Sequence, residues 1–150
     1  MRPALTPAQQ YLFLRANVNC AGKGSFTPTG LRWRYYVQPT PLSREYLVEI
    51  IFDRGEPPKA FVKEPNLSSL AGGRDLPHIY RNPDRLCLCL PKAREWTDTM
   101  RIDQTFVPWI ATWLFYFEEW LGSDVWKGGG EHPEPGATES YNRHVRRAIR

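Results

Sequence analysis

Between Leu31 and Asp53 the sequence alternates twice. Leu31, Trp33, Tyr35 and Val37 are interleaved with Arg32, Arg34, Tyr36 and Gln38, and Tyr46, Val48, Ile50 and Phe52 then take turns with Leu47, Glu49, Ile51 and Asp53. Successive side chains on a strand point to opposite faces, so each run predicts a strand with one face in the core. Pro39 and Pro41 mark the turn between them, and so short a connection makes the two strands antiparallel neighbours. Pro57-Pro58 introduces a third strand, Lys59 to Lys63, again too close to its predecessor for a parallel crossover. The reading is therefore an antiparallel meander whose apolar face needs a cover.

The cover lies further along. Ile102, Phe106, Trp109, Ile110, Trp113, Leu114, Phe117, Trp120 and Leu121 recur at helical spacing, and Gly122 offers a stop. Pro108 is tolerable if the helix starts near Thr105, because the first amides of a helix have no internal partner. Tryptophans at this spacing belong in the core rather than in a ligand cage. At the other end, Thr6-Pro7-Ala8-Gln9 combines a hydroxyl cap, a proline at the first helical position and a glutamine three residues after the cap, predicting a helix from Pro7 to about Val18. The glycines and proline of Ala21 to Gly30 break the chain, and Pro65 to Pro83 reads as a surface loop. The fold class expected is α+β.

Several function classes are set aside by composition and spacing. The chain has 150 residues, enough for one core without a disulfide or metal staple. Three cysteines, Cys20, Cys87 and Cys89, form an odd set with no secretory leader before them, so a cytoplasmic protein with reduced thiols is expected. The strongly apolar run from Phe106 to Phe117 is shorter than the ~20 residues that span a bilayer. The net charge of +4 is a mild excess, concentrated only in Arg143 to Arg150; without interleaved aromatics that tail reads as a solvated terminus rather than a nucleic-acid site. Lys23 between Gly22 and Gly24 lacks the rest of a phosphate loop. A zinc site drawn from Cys87, Cys89 and two of His78, His132 and His144 lacks a second closely spaced ligand pair. No cofactor and no metal are expected.

What remains is the segment RLCLCLP, Arg85 to Pro91, with two thiols two residues apart. On a strand both would face the same way. Spacing alone leaves two readings open: one thiol is a nucleophile, or both fill a core, as free cysteines often do.

The wider order of motifs adds a third consideration. Pro57-Pro58-Lys59 in a strand, then His78, then Leu86-Cys87-Leu88, Trp96 and a long helix resemble a ubiquitin-conjugating enzyme over roughly Thr6 to Leu121. The order is similar, more closely still, to the small ubiquitin-conjugating-like proteins of bacterial type II CBASS anti-phage operons. His78 and Tyr80, Leu86-Cys87-Leu88, Trp96, Pro108-Trp109, Trp113-Leu114, Glu118, Trp120, Trp126, Gly128 to Gly130 and His132-Pro133 carry that likeness. It implies a single UBC-like domain over residues 1–150, with a core at about 6–121 and a C-terminal extension at 122–150. The sheet implied has about four strands, preceded by a helix and packed under the aromatic-rich one.

The resemblance also implies chemistry. Cys87 would be the nucleophile, taking the C-terminal acyl group of a partner protein as a thioester and passing it to an amine. His78 would brace the loop, and Tyr80, Asn82 and Trp96 would help to organise the site. The family's His-Pro-Asn is here His78-Ile79-Tyr80, so the oxyanion would fall to backbone amides or Asn82. His78, Arg85 and Lys92 are the cations placed to favour a thiolate. Cys89 would be a packing residue. The implied partner is the C-terminus of a cGAS-like nucleotidyltransferase, with a separate activating enzyme where adenylation is needed. The alternative is a catalytically silent UBC-fold adaptor that binds the same partner.

Overall fold

A computed structural model describes residues 2–88 and 96–128. Helix α1 runs Pro7–Ala16, capped as the sequence predicts: the Thr6 hydroxyl accepts from the Gln9 amide at 3.1 Å and the Gln9 side chain accepts from the Thr6 amide at 2.9 Å. It ends two residues short of Val18. Asn17 leaves the helix in an extended conformation, and its side chain caps a single 3-10 turn, Val18–Cys20.

Four antiparallel strands follow in spatial order: β1 (Gly22–Thr27), β2 (Gly30–Val37), β3 (Tyr46–Asp53) and β4 (Lys59–Glu64). The expected meander of β2, β3 and β4 is present, with Trp33 opposite Ile50 and Ile50 opposite Ala60. β1 corrects the reading of Ala21 to Gly30 as a break. Every residue of β1 is exposed, so no alternation could reveal it. Its glycines serve close approach instead: a Cβ on Gly24 would meet the Arg32 carbonyl and the Trp33 ring.

The alternating residues of β2 and β3 form the core floor. Leu31, Trp33, Tyr35, Tyr46, Val48, Ile50 and Phe52 are all buried, in one cluster with the apolar side of helix α3 (Phe106–Ser123). Trp109, Trp113 and Trp120 are buried there, as helical spacing requires of a cover. Thr105 occupies the cap position of α3, but its hydroxyl donates to the Arg101 carbonyl rather than capping an amide. Gly122 does not stop the helix; Asp124, with φ +62°, does. Glu118 ties the cover to the sheet, accepting from Ser43 Oγ at 2.6 Å and Tyr46 OH at 2.8 Å.

The stretch from Pro65 to Pro83 is not wholly surface loop. It holds a short helix α2 (Leu67–Ala71), and Leu67, Ala71, His78, Ile79 and Tyr80 are buried. Nor does RLCLCLP supply a long strand. Among its described residues, 85–88, β6 (Arg85–Leu86) is the regular part, paired with β5 (Ile79–Tyr80) in a separate two-stranded sheet; residues 89–91 lie outside the described residues.

Helix α1 is fastened by one polar side chain in an apolar setting. Gln10, fully buried, accepts from the Ile102 amide at 2.9 Å and donates to the Met100 carbonyl at 2.8 Å. Gln10→Leu keeps the volume but orphans both backbone groups, each costing about 1–3 kcal/mol. The expected loss is about 2–4 kcal/mol in urea denaturation; a variant as stable as the parent would show that water replaces the side chain.

Candidate functional site

The hairpin of β5 and β6 builds the site. Ile79 pairs with Leu86 and Tyr80 with Arg85, and the ladder extends one step further, where the Cys87 amide donates to the His78 carbonyl at 3.0 Å. Period-two alternation then puts His78, Tyr80, Arg85 and Cys87 on one face and Ile79 and Leu86 on the other. Ile79 and Leu86 join the main core, whereas Tyr80 and Cys87 form a small buried cluster of their own.

His78 is held on three sides. Its φ is +47°, in the left-handed region that a non-glycine residue enters only when surrounding contacts fix it. Its carbonyl accepts a second hydrogen bond, from the Trp113 indole N–H at 3.2 Å. Its imidazole stacks on the Trp126 indole, with centroids 4.8 Å apart and planes 27° apart. The ring is 2 % exposed.

Not every predicted residue gathers here. His78, Tyr80 and Cys87 do. Asn82 lies at the exposed hairpin tip with φ +64°, a backbone conformation that turns use. Trp96 packs edge-on against Phe52 and Phe106 in the core, with its indole nitrogen buried and without a hydrogen-bond partner. The Arg85 guanidinium sits over the Tyr80 ring at 4.3 Å, a cation–π contact. Lys92, Cys89 and the basic tail lie outside the described residues, as do His132 and His144. Among the described residues no group of three His, Cys, Asp or Glu converges as a metal site.

The three cysteines were expected to be reduced. Cys20 is a free thiol, and Cys87 is fully buried. Cys20 is chemically quiet for a stated reason: burial, helped by the negative charge of Asp103, pushes its thiol up to about 11, and its Sγ donates to the Leu14 carbonyl at 3.4 Å. Because the unfolded thiol ionises first, this residue subtracts stability as pH climbs from about 9 towards about 11. Iodoacetamide at pH 8.5 should therefore leave Cys20 unlabelled in the native protein and label it in urea; rapid native labelling would contradict the burial.

Two residues at this site escaped the sequence reading. Trp126, which entered only through the family likeness and with no role at the site, touches His78, Trp113 and Tyr116. Arg74, in the loop before β5, stacks on Trp120 at 4.4 Å and donates to the Leu121 carbonyl and to Asp124 at the end of α3. The tryptophan at a fixed distance past the helix was the only available signal for the first; nothing in the sequence marked the second.

Residues 10–133 match the family model for the Type II CBASS E2 protein, and the chain belongs to that family. No curated protein matches it. Among the described residues no helix is long and apolar enough to cross a membrane.

Proposed function

We propose that this protein is a UBC-fold, ubiquitin-conjugating-like acyltransferase whose nucleophile is Cys87. The single observation that carries the reading is the pairing of Cys87 with His78 across the hairpin, in a chain whose family bears the conjugating-enzyme name. The partner proposed is the C-terminus of a cGAS-like nucleotidyltransferase, in keeping with the CBASS setting, and the role is regulation of anti-phage signalling.

Cys87 first gives up its proton to a base or to solvent, which leaves the thiolate. The Cys87 thiolate then attacks the acyl carbon of a C-terminal adenylate made by a separate activating enzyme; the S–C bond forms, the C–O bond breaks and AMP departs. An acceptor amine attacks the thioester, the C–N bond forms, the thiolate leaves and the amine proton passes to solvent or a base. His78 holds the Cys87 backbone in register, and backbone amides are the donors proposed for the oxyanion.

A catalytically silent adaptor is the second reading, and one observation favours it: Cys87 is fully buried. Cys87→Ser separates the two. An alkoxide is a poorer leaving group than a thiolate, so the serine variant purified with its operon partners should accumulate an adduct stable to dithiothreitol and cleaved by alkali. Co-purification without any covalent species in either variant would support the adaptor.

A further inference from the structure

We propose that Trp126 is a positioning residue for the Cys87 site, acting through His78. The inference rests on the thioester reading for its effect on rate, but its structural part stands on geometry alone.

Four observations converge on this tryptophan. Its indole covers the His78 imidazole in a stacked contact, and a second contact, 5.6 Å between centroids, joins it to Trp113. Trp113 in turn donates to the carbonyl that receives the Cys87 amide. Trp126 and Trp113 thus grip His78 from ring and carbonyl at once. A left-handed φ at a residue with a Cβ needs this kind of external restraint. The chain also folds over Trp126 from behind: a Cβ on Gly128 would lie 2.9 Å from the Tyr116 ring and 3.0 Å from the Trp126 ring. Finally, Arg74 fixes where α3 ends, by donating to the Leu121 carbonyl and pairing with Asp124 at 3.2 Å. Since Asp124 is the left-handed residue that turns the chain, this latch sets the path that brings Trp126 back onto His78.

The consequence is a short mechanical link. Trp126 holds the His78 ring, the His78 carbonyl holds the Cys87 amide, and the Cys87 backbone sets where its sulfur points. Loss of the indole releases His78 from its restrained φ and lets the last rung of the hairpin open. Angstrom-scale misplacement of a nucleophile lowers the rate of reaction without altering partner binding.

The test uses the full chain, reduced with a phosphine, as wild type, Trp126→Ala, Trp126→Phe and Gly128→Val. Hydrogen exchange is followed at the Cys87 amide and the Trp113 indole, with β2 and β3 amides as internal controls. Trp126→Ala should speed exchange at both probes about 10-fold or more and leave the controls unchanged; Gly128→Val should do the same by displacing the indole, and Trp126→Phe, which keeps a stacking ring, should restore protection. In charging assays with the operon partners, Trp126→Ala should lower kcat about 10-fold or more at unchanged KM, with phenylalanine restoring most of it. Unchanged exchange, acceleration spread through the control strands, or local opening with wild-type kcat would each overturn the proposal. A wild-type protein that forms no adduct sinks the thioester reading instead, and the exchange result then decides whether Trp126 holds the hairpin.

Discussion

Trp113→Ala is expected to cost about 3–5 kcal/mol of folding stability, read as a shift of the urea midpoint. The side chain is 1 % exposed at the middle of α3, stacks on Phe117 with centroids 5.4 Å apart, and lies between the core and the hairpin. Its removal loses apolar burial and leaves a cavity that the packed sheet below cannot readily fill. It also orphans part of the His78 carbonyl's hydrogen bonding. Trp113→Phe separates the two effects: retention of the ring should limit the loss to about 1–2 kcal/mol, chiefly the missing indole hydrogen bond. A Trp113→Ala protein as stable as its parent would show that α3 is not the cover of this core.

The largest functional effect belongs to Cys87. Cys87→Ala should abolish covalent adduct formation, because no other group can replace a nucleophile that becomes part of the intermediate. Cys89→Ser should retain it, since the proposed assignment gives that residue packing and no chemistry. The two thiols sit two residues apart in the sequence, so only the register separates them: His78 lies opposite Cys87. An adduct on Cys89 in the Cys87→Ala protein would reverse the assignment.

Period-two alternation made β2 and β3 legible because one face of each is fully buried, while the other is exposed in β2 and only partly covered in β3. β1 was illegible for the complementary reason: it is an exposed edge strand, Gly22 to Thr27, paired with β2 and touched from α1 by Tyr11, whose ring meets Phe26. Helix α3 was legible from its wide apolar stripe, but its end was not, since Asp124 in a left-handed conformation with an Arg74 latch stops it after Gly122 has passed. At the site, His78, Tyr80 and Cys87 were found through motif order, and register brings them onto one face. Trp126 and Arg74 act through contacts with residues 48 and 46–50 positions away. Local sequence carries no record of such distances; tertiary structure supplies them.

Whether Cys87 carries an acyl group is read by intact-mass spectrometry of the protein isolated with its operon partners. Two reagents are compared: a phosphine, which opens disulfides but spares thioesters, and dithiothreitol, which cleaves both. The expected result is an adduct mapped to Cys87 that survives the phosphine and is released by dithiothreitol or hydroxylamine. An adduct released by the phosphine alone, or a complex that separates with no covalent species under every condition, would contradict it.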